Sequence, residues 1–269
     1  MKKTIISVFI ITITLFSMTN CKSDGSDIAI EGVGFDSLVI DTVAHLTDDP
    51  SSPSCRISLH LCYAVGNNAE KINDSLMRCG ILSPDYLSLS GMKLSTKQAA
   101  DSFINRYIED YRSFYAAIYR DDKTTEQADL AYILHTRVEM GRNGIICYYA
   151  DIDNKMGSAE TRYTIAKNIL ASTGHIMTLQ DVFVPGAERK LKELIAEELC
   201  DMTGSYDEDE LEAKGYFANG SVYASHNFVI NDDGIEFIYI KGEIADRDKG
   251  EIVVRIGYSD LKKIMKKWN

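Results

Sequence analysis

The chain has 269 residues, with 29 Lys and Arg against 40 Asp and Glu, a net charge of −11. That acidity excludes a nucleic-acid surface, whose phosphates need a basic footprint. No P-loop, GxSxG, HExxH or dinucleotide fingerprint occurs, so these ready-made chemistries are excluded as well.

Lys2 and Lys3 precede an apolar run from Ile5 to Phe16, too short for an ordinary membrane-spanning helix and of secretory-signal form. Ser17-Met-Thr-Asn-Cys21 follows and resembles a lipobox, with Cys21 as the acylated residue. An ordinary cleaved signal beside a chance cysteine is the alternative. Acylation implies an anchor of acyl chains rather than a helix. Removing the signal takes away two lysines and leaves 27 basic against 40 acidic residues, a net of −13. Lys-Ser-Asp-Gly-Ser-Asp after Cys21 has the composition of a solvated tether, and its acids resemble the export signal of Bacteroidetes surface lipoproteins. The expected division is a signal over 1–20, anchor and tether over 21–36, one module over 37–155 and a second over 156–269.

Ser37 to Leu46 reads as a strand, and Thr47 to Pro53 as a loop punctuated by two prolines. In Cys55 to Val65, Ile57, Leu59, Leu61 and Tyr63 recur at period two, the mark of a half-buried strand. Asn67 or Asn68 is placed to cap a helix through Arg78. Ser95 opens the longest helix, whose stripe is Ala99, Ala100, Phe103, Ile104, Tyr107, Ile108, Tyr111, Phe114, Tyr115 and Ile118. Leu130 to Met140 and Ile145 to Ile152 are strands joined through Asn143-Gly144, a hairpin-turn pair. Asp151 and Asp153 open like a calcium loop, but Lys155, Met156 and Arg162 occupy later positions that need oxygen ligands or glycine, which excludes an EF-hand.

Thr161 to Phe183 organises the second half: a strand run ends at Ser172-Thr-Gly174, where Gly174 can take φ > 0, and the chain turns back into Ile176 to Phe183. A helix then runs from Pro185-Gly186 to about Cys200, with Leu191, Leu194, Ile195 and Leu199 inward. Asp207 to Glu210 suits a solvated helix start, where acids meet the positive dipole end. Asn227 to Ile240 is a hairpin about Asp233-Gly234. Glu251 to Ile256 is a last strand, and Ser259 caps a closing helix with Leu261, Ile264, Met265 and Trp268 in one stripe. The pattern is α+β: antiparallel sheets with helices packed on one side, in two similar-sized subdomains forming one compact unit.

Five cysteines follow Cys21: Cys55, Cys62, Cys79, Cys147 and Cys200. Their spacing is not that of a zinc site, and the odd number leaves at least one thiol unpaired. Cys55 and Cys62, seven apart on one strand, are expected on opposite faces and not bonded to each other. His45, His60, His135, His175 and His226 are scattered; His60 and His135, within strands, read as satisfied polar or core residues rather than ligands.

Gly174-His-Ile-Met-Thr-Leu-Gln-Asp-Val-Phe183, Asn227 to Phe237, Gly242-Glu-Ile-Ala245, Gly250 and Val253 to Leu261 occur in the order seen in the extracytoplasmic domain of the RsiV anti-sigma factor family. The similar domain also accompanies the catalytic domain of PdaC-type peptidoglycan deacetylases. The resemblance covers about Thr161 to Lys266, and residues 37–155 resemble its companion module. Gly157-Ser-Ala-Glu160 stands where family members often carry Gly-Gly-Ala-His. The resemblance implies a non-enzymatic domain that holds an extracytoplasmic protein or glycan, as in the RsiV-type receptor for lysozyme. No catalytic, cofactor-binding or metal residue is identified, and no cofactor is expected. The expected product is an envelope lipoprotein, held at a membrane by Cys21 on its periplasmic or surface face. An envelope hydrolase acting on glycan or peptidoglycan, through an unnamed pair of carboxylates, and a purely structural lipoprotein are the alternatives.

Overall fold

In the computed structural model, residues 30–87, 93–121, 128–218 and 220–267 are described; the signal, Cys21 and Trp268 lie outside them. The strand Ile145–Met156 (β4) explains the architecture, because six consecutive residues, Ile145 to Ala150, are buried. Alternate side chains of a strand point to opposite faces. Ile146, Tyr148, Ala150 and Ile152 therefore enter one core, and Ile145, Cys147 and Tyr149 a second.

β4 lies inside a six-stranded sheet with β1 (Val33–His45), β2 (Ser54–Gly66), β3 (Leu130–Met140), β5 (Ala159–Leu170) and β6 (His175–Met177), in the order β1-β2-β3-β4-β5-β6. Every pair is antiparallel except β2–β3, which are parallel over Cys55–His60 and Leu130–His135. Parallel neighbours need a long crossover. Here it carries the helices α1 (Ala69–Met77) and α2 (Thr96–Asp121), both packed on the first core. The division expected between residues 155 and 156 falls at the β4–β5 turn. Those strands pair along their whole length, so one sheet runs through both halves.

The second core lies between the opposite face of β4 and β5 and a three-stranded sheet, β7 (Phe228–Ile230), β8 (Gly234–Tyr239) and β9 (Ile252–Gly257). The helices α3 (Leu179–Val182), α4 (Glu188–Thr203) and α5 (Glu208–Ala213) and the turn α6 (Tyr258–Leu261) complete it.

Several expectations are corrected by this packing. β7 and β8 are buried on both faces, Val229 and Ile238 included, because they are sandwiched. Gly234 is the first residue of β8. The turn before it is built by the Asn231 side chain, which accepts from Asp233 N and Gly234 N. The closing helix stops at Leu261 and is capped by Gly257, not Ser259. Its continuation is drawn out as backbone that pairs with the stretch after α3, Val184 N donating to Ile264 O and Lys266 N to Val182 O. On α2 the stripe holds through Tyr111, but Phe114 and Ile118 are exposed. Tyr63 is half-buried and gives its hydroxyl to Asp36. All five described cysteines are free, Cys55 and Cys147 buried, and Cys62 leans on the margin of the same core as Cys55. The lean follows from β2 parting from β3 after His60. At the fork Thr136 Oγ1 donates to His60 O and accepts from Cys62 N, and Tyr148 donates to Cys62 O.

The turn that organises the second half forms as expected, with Gly174 at φ 65°. It also holds α1. Asn68, at the α1 N-cap with φ 57°, makes no side-chain cap. Its amide instead donates to Ala171 O and Ser172 O, and Lys71 donates to Thr173 O.

α3 begins with a capping box: Asp181 accepts from Thr178 N and Oγ1, and also contacts His175 Nε2 at 3.0 Å. Partial burial pushes the Asp181 carboxyl up, but the bonds from Thr178 and His175 outweigh it and hold it below the ordinary carboxylate value. A lowered folded-state value means stability present above the unfolded-state value, near 3.9, and lost as pH falls through the folded one. The stability advantage of wild type over Asp181→Asn is therefore expected to be constant above about pH 5 and to shrink toward pH 3. Urea unfolding at a series of pH values reads it directly; an advantage unchanged at pH 3 contradicts the assignment.

Candidate functional site

α1 and α2 pack on one face of the six-stranded sheet, and the second sheet covers only part of the other. Along β4 the cover ends between buried Tyr149 and half-exposed Asp151. Beyond that line the face is open across five strands. Strand register places its side chains in rows. One row is Val39, His60, His135, Asp151 and Thr164; the next is Asp41, Ser58, Ile133, Asp153 and Arg162. Val39, Val43 and Ile133 are exposed apolar residues of this face.

The polar groups here are held in place by their neighbours. Arg137 pairs with Asp151 at 2.6 Å and with Glu139 at 3.3 Å, and its guanidinium lies 4.0 Å from the centre of the Tyr149 ring. Asp151 also accepts from Thr164 Oγ1 at 3.0 Å, and Thr164 N donates to Glu251 at 3.0 Å. Arg162 bridges Asp153 and Glu160, and Ser58 donates to Asp41. The His60 and His135 rings lie 5.7 Å apart. They stand on the open face rather than in the core, and are brought together by the parallel β2–β3 pairing, which no local pattern of the sequence signals.

Asp151 and Asp153, set aside as calcium ligands, are thus strand residues paired with arginines. Among the described residues no group of three or more His, Cys, Asp or Glu is placed to hold a metal ion. Burial pushes the Cys147 thiol up to about 12, which keeps it protonated and inert. Two further hollows exist. A cleft of about 420 Å³ between the β1–β2 pair and the helices is lined by Leu38, Tyr63, Asn73, Leu94 and Thr96, among others. Its amide is committed to structure, Asn73 bonding Ala64 N and O. A groove of about 570 Å³ along α4 and α5 is acidic, with Glu193, Glu197, Asp201, Asp207 and Glu208 on its walls. The open face is the candidate site, because it is broad, rigidly backed and partly apolar.

Among the described residues no helix is long and apolar enough to cross a membrane. No curated protein matches the chain. Solved structures share its fold, among them two of the DUF3298 family. One is a member of the DUF3298 family from Bacteroides fragilis, 21% identical, with a TM-score of 0.78 over 89% of this chain and 96% of that one. The other is a DUF3298 family protein from Pseudomonas aeruginosa, 13% identical, with a TM-score of 0.60 over 90% of this chain and 97% of that one. Residues 180–259, from α3 to α6, match the family model described as "Protein of unknown function (DUF3298)".

Proposed function

We propose that the protein is an envelope lipoprotein, anchored through Cys21, that captures a cationic, lysozyme-like protein without transforming it. The observation that carries the reading is the open face. A sheet normally buries both faces or solvates one with polar side chains. This one leaves Val39, Val43 and Ile133 exposed among preformed ion pairs, the mix of apolar contact and polar rim that protein interfaces use. Polar groups already paired with one another need less reordering on binding. The net charge of −13 left after removal of Lys2 and Lys3 with the signal favours a basic partner by speeding its approach. The lipobox-like Cys21 and the resemblance to the RsiV-type extracytoplasmic domain support the placement and the partner class.

The test is retention of cationic lysozyme by the immobilised full chain at physiological salt. Retention is expected, with at least about tenfold weakening in Ile133→Arg, which sets a cation in the middle of the face without entering a core. Loss of retention in wild type removes the lysozyme reading. Equal retention by Ile133→Arg moves the contact off this face. Release of soluble fragments from cell-wall glycan that stops with Asp151→Asn or Glu251→Gln would overturn the non-enzymatic reading itself.

A further inference from the structure

Among the described residues β1 is the outer edge of the six-stranded sheet and pairs only with β2. Edge strands present unpaired backbone N–H and C=O groups, and proteins guard them with short length, lysine, proline or bulges. Among the described residues β1 has none of these guards. It runs 13 residues, about twice a usual strand, with no Lys or Pro, and pairs with β2 without a bulge. Its two acids screen little of the edge. Asp41 accepts from Ser58 on β2, and Asp36 accepts from Tyr63 on β2 and also from Ser37 N, the one β1 backbone donor here that a side chain of its own strand covers and that pairing would have to release.

We propose that this edge pairs with β1 of a second copy of the chain, antiparallel and centred on Val39, joining two six-stranded sheets into one. The strand is complementary to itself in that register. On one face Leu38 meets Ile40 of the other copy and Ile40 meets Leu38, while Asp36 meets Thr42. On the other face Val39 meets Val39 and Asp41 meets Ser37, while Val43 stands opposite Phe35, whose side chain is buried in the first core. Each face has an apolar centre, and each acid faces a hydroxyl. No like charges stand opposite, the arrangement that would penalise pairing. Leu38 and Ile40, only half-buried in one copy, gain cover in two. The pairing is isologous, so it closes at a dimer rather than growing into a filament. It does not depend on the capture of a ligand, and is measured without one.

The test uses the full chain carrying Cys21→Ser, so that acyl chains cannot hold copies together. Sedimentation at about 100 µM is expected to give a dimer, weakened at least about tenfold by Val39→Lys, which sets two cations face to face. Because the Val39 side chain is 55% exposed, that variant keeps its fold. Directly opposed Cβ atoms lie about 4.5–5.5 Å apart, within reach of a disulfide after small adjustment. Val39→Cys should therefore form a disulfide-linked dimer on mild oxidation. Val43→Cys, opposite Phe35, and the unsubstituted chain should not. A monomer at that concentration overturns the proposal. So does cross-linking of Val43→Cys as readily as Val39→Cys.

Discussion

Replacing Asn168 by Leu is expected to destabilise the protein by about 3–5 kcal/mol, although the two side chains have similar volumes. Asn168 is buried on β5, where an apolar residue would ordinarily stand. Its amide donates to Phe228 O at 2.8 Å, and its carbonyl accepts from Ile230 N at 2.8 Å. It thus acts as a strand partner for β7, which has β8 on its other side. Leucine would leave a buried backbone N–H and C=O without partners, at about 1–3 kcal/mol each. Asn227 makes the reciprocal pair, accepting from Ala166 N and donating to Thr164 O on β5. That second site is only part-buried, so water can replace the lost bonds and Asn227→Ala is expected to cost about 1 kcal/mol. Urea unfolding of the two variants separates the cases. A cost below about 1 kcal/mol for Asn168→Leu would mean that the sheets are held by apolar contact alone.

The second large effect is expected at Gly174, where alanine should cost about 2–4 kcal/mol. Part is conformational, since φ is 65° and a Cβ in that region costs about 1–2 kcal/mol. The rest is space. A Cβ on Gly174 would lie 2.9 Å from Asn68 Cβ and 3.0 Å from Ile72 Cγ1, both on the start of α1. Asn68 cannot yield freely, because its amide is bound to Ala171 and Ser172. Gly186 supplies the control: φ is 83°, but nothing lies within 4 Å, so Gly186→Ala should show the conformational part only. Equal costs at the two positions, by urea unfolding, would show that α1 does not press on the turn. Amide-exchange protection in α1 should fall in Gly174→Ala and stay unchanged in Gly186→Ala.

What could be read along the chain is local. Asn143-Gly144 specified its turn because both residues tolerate positive φ, and both adopt it, at 54° and 73°. Ser95 and Gln98 form the reciprocal bonds that start α2. The acids from Asp207 to Glu210 open α5, with Asp207 accepting from Glu210 N. The period-two residues Ile57, Leu59 and Leu61 are buried in the first core. The errors share a cause in the surroundings. Phe114 and Ile118 continue the helical stripe of α2 but are exposed all the same. Met265 continues a helical spacing, yet forms a bridge with Phe183 because that backbone needed a partner. Tyr63 keeps the alternation of β2, but the strand has already turned away from β3.

The candidate site was the least legible part. The contact between His60 and His135 depends on a parallel pairing across a crossover of two helices. Nothing in the residues around Asn168 sets it apart from other polar residues of a strand. Its importance arises only when β7, sixty residues later, brings two backbone groups to it.

The order of apolar and polar residues by itself determined the element types, the turns that require positive φ and the mixed α+β class, because these depend on neighbours within a few residues. Only the tertiary structure decided which strands adjoin, that β4 serves two cores at once, and which part of the sheet stays uncovered. Those outcomes depend on how distant surfaces compete for the same apolar face, and the free energy of that competition is not written in any one segment.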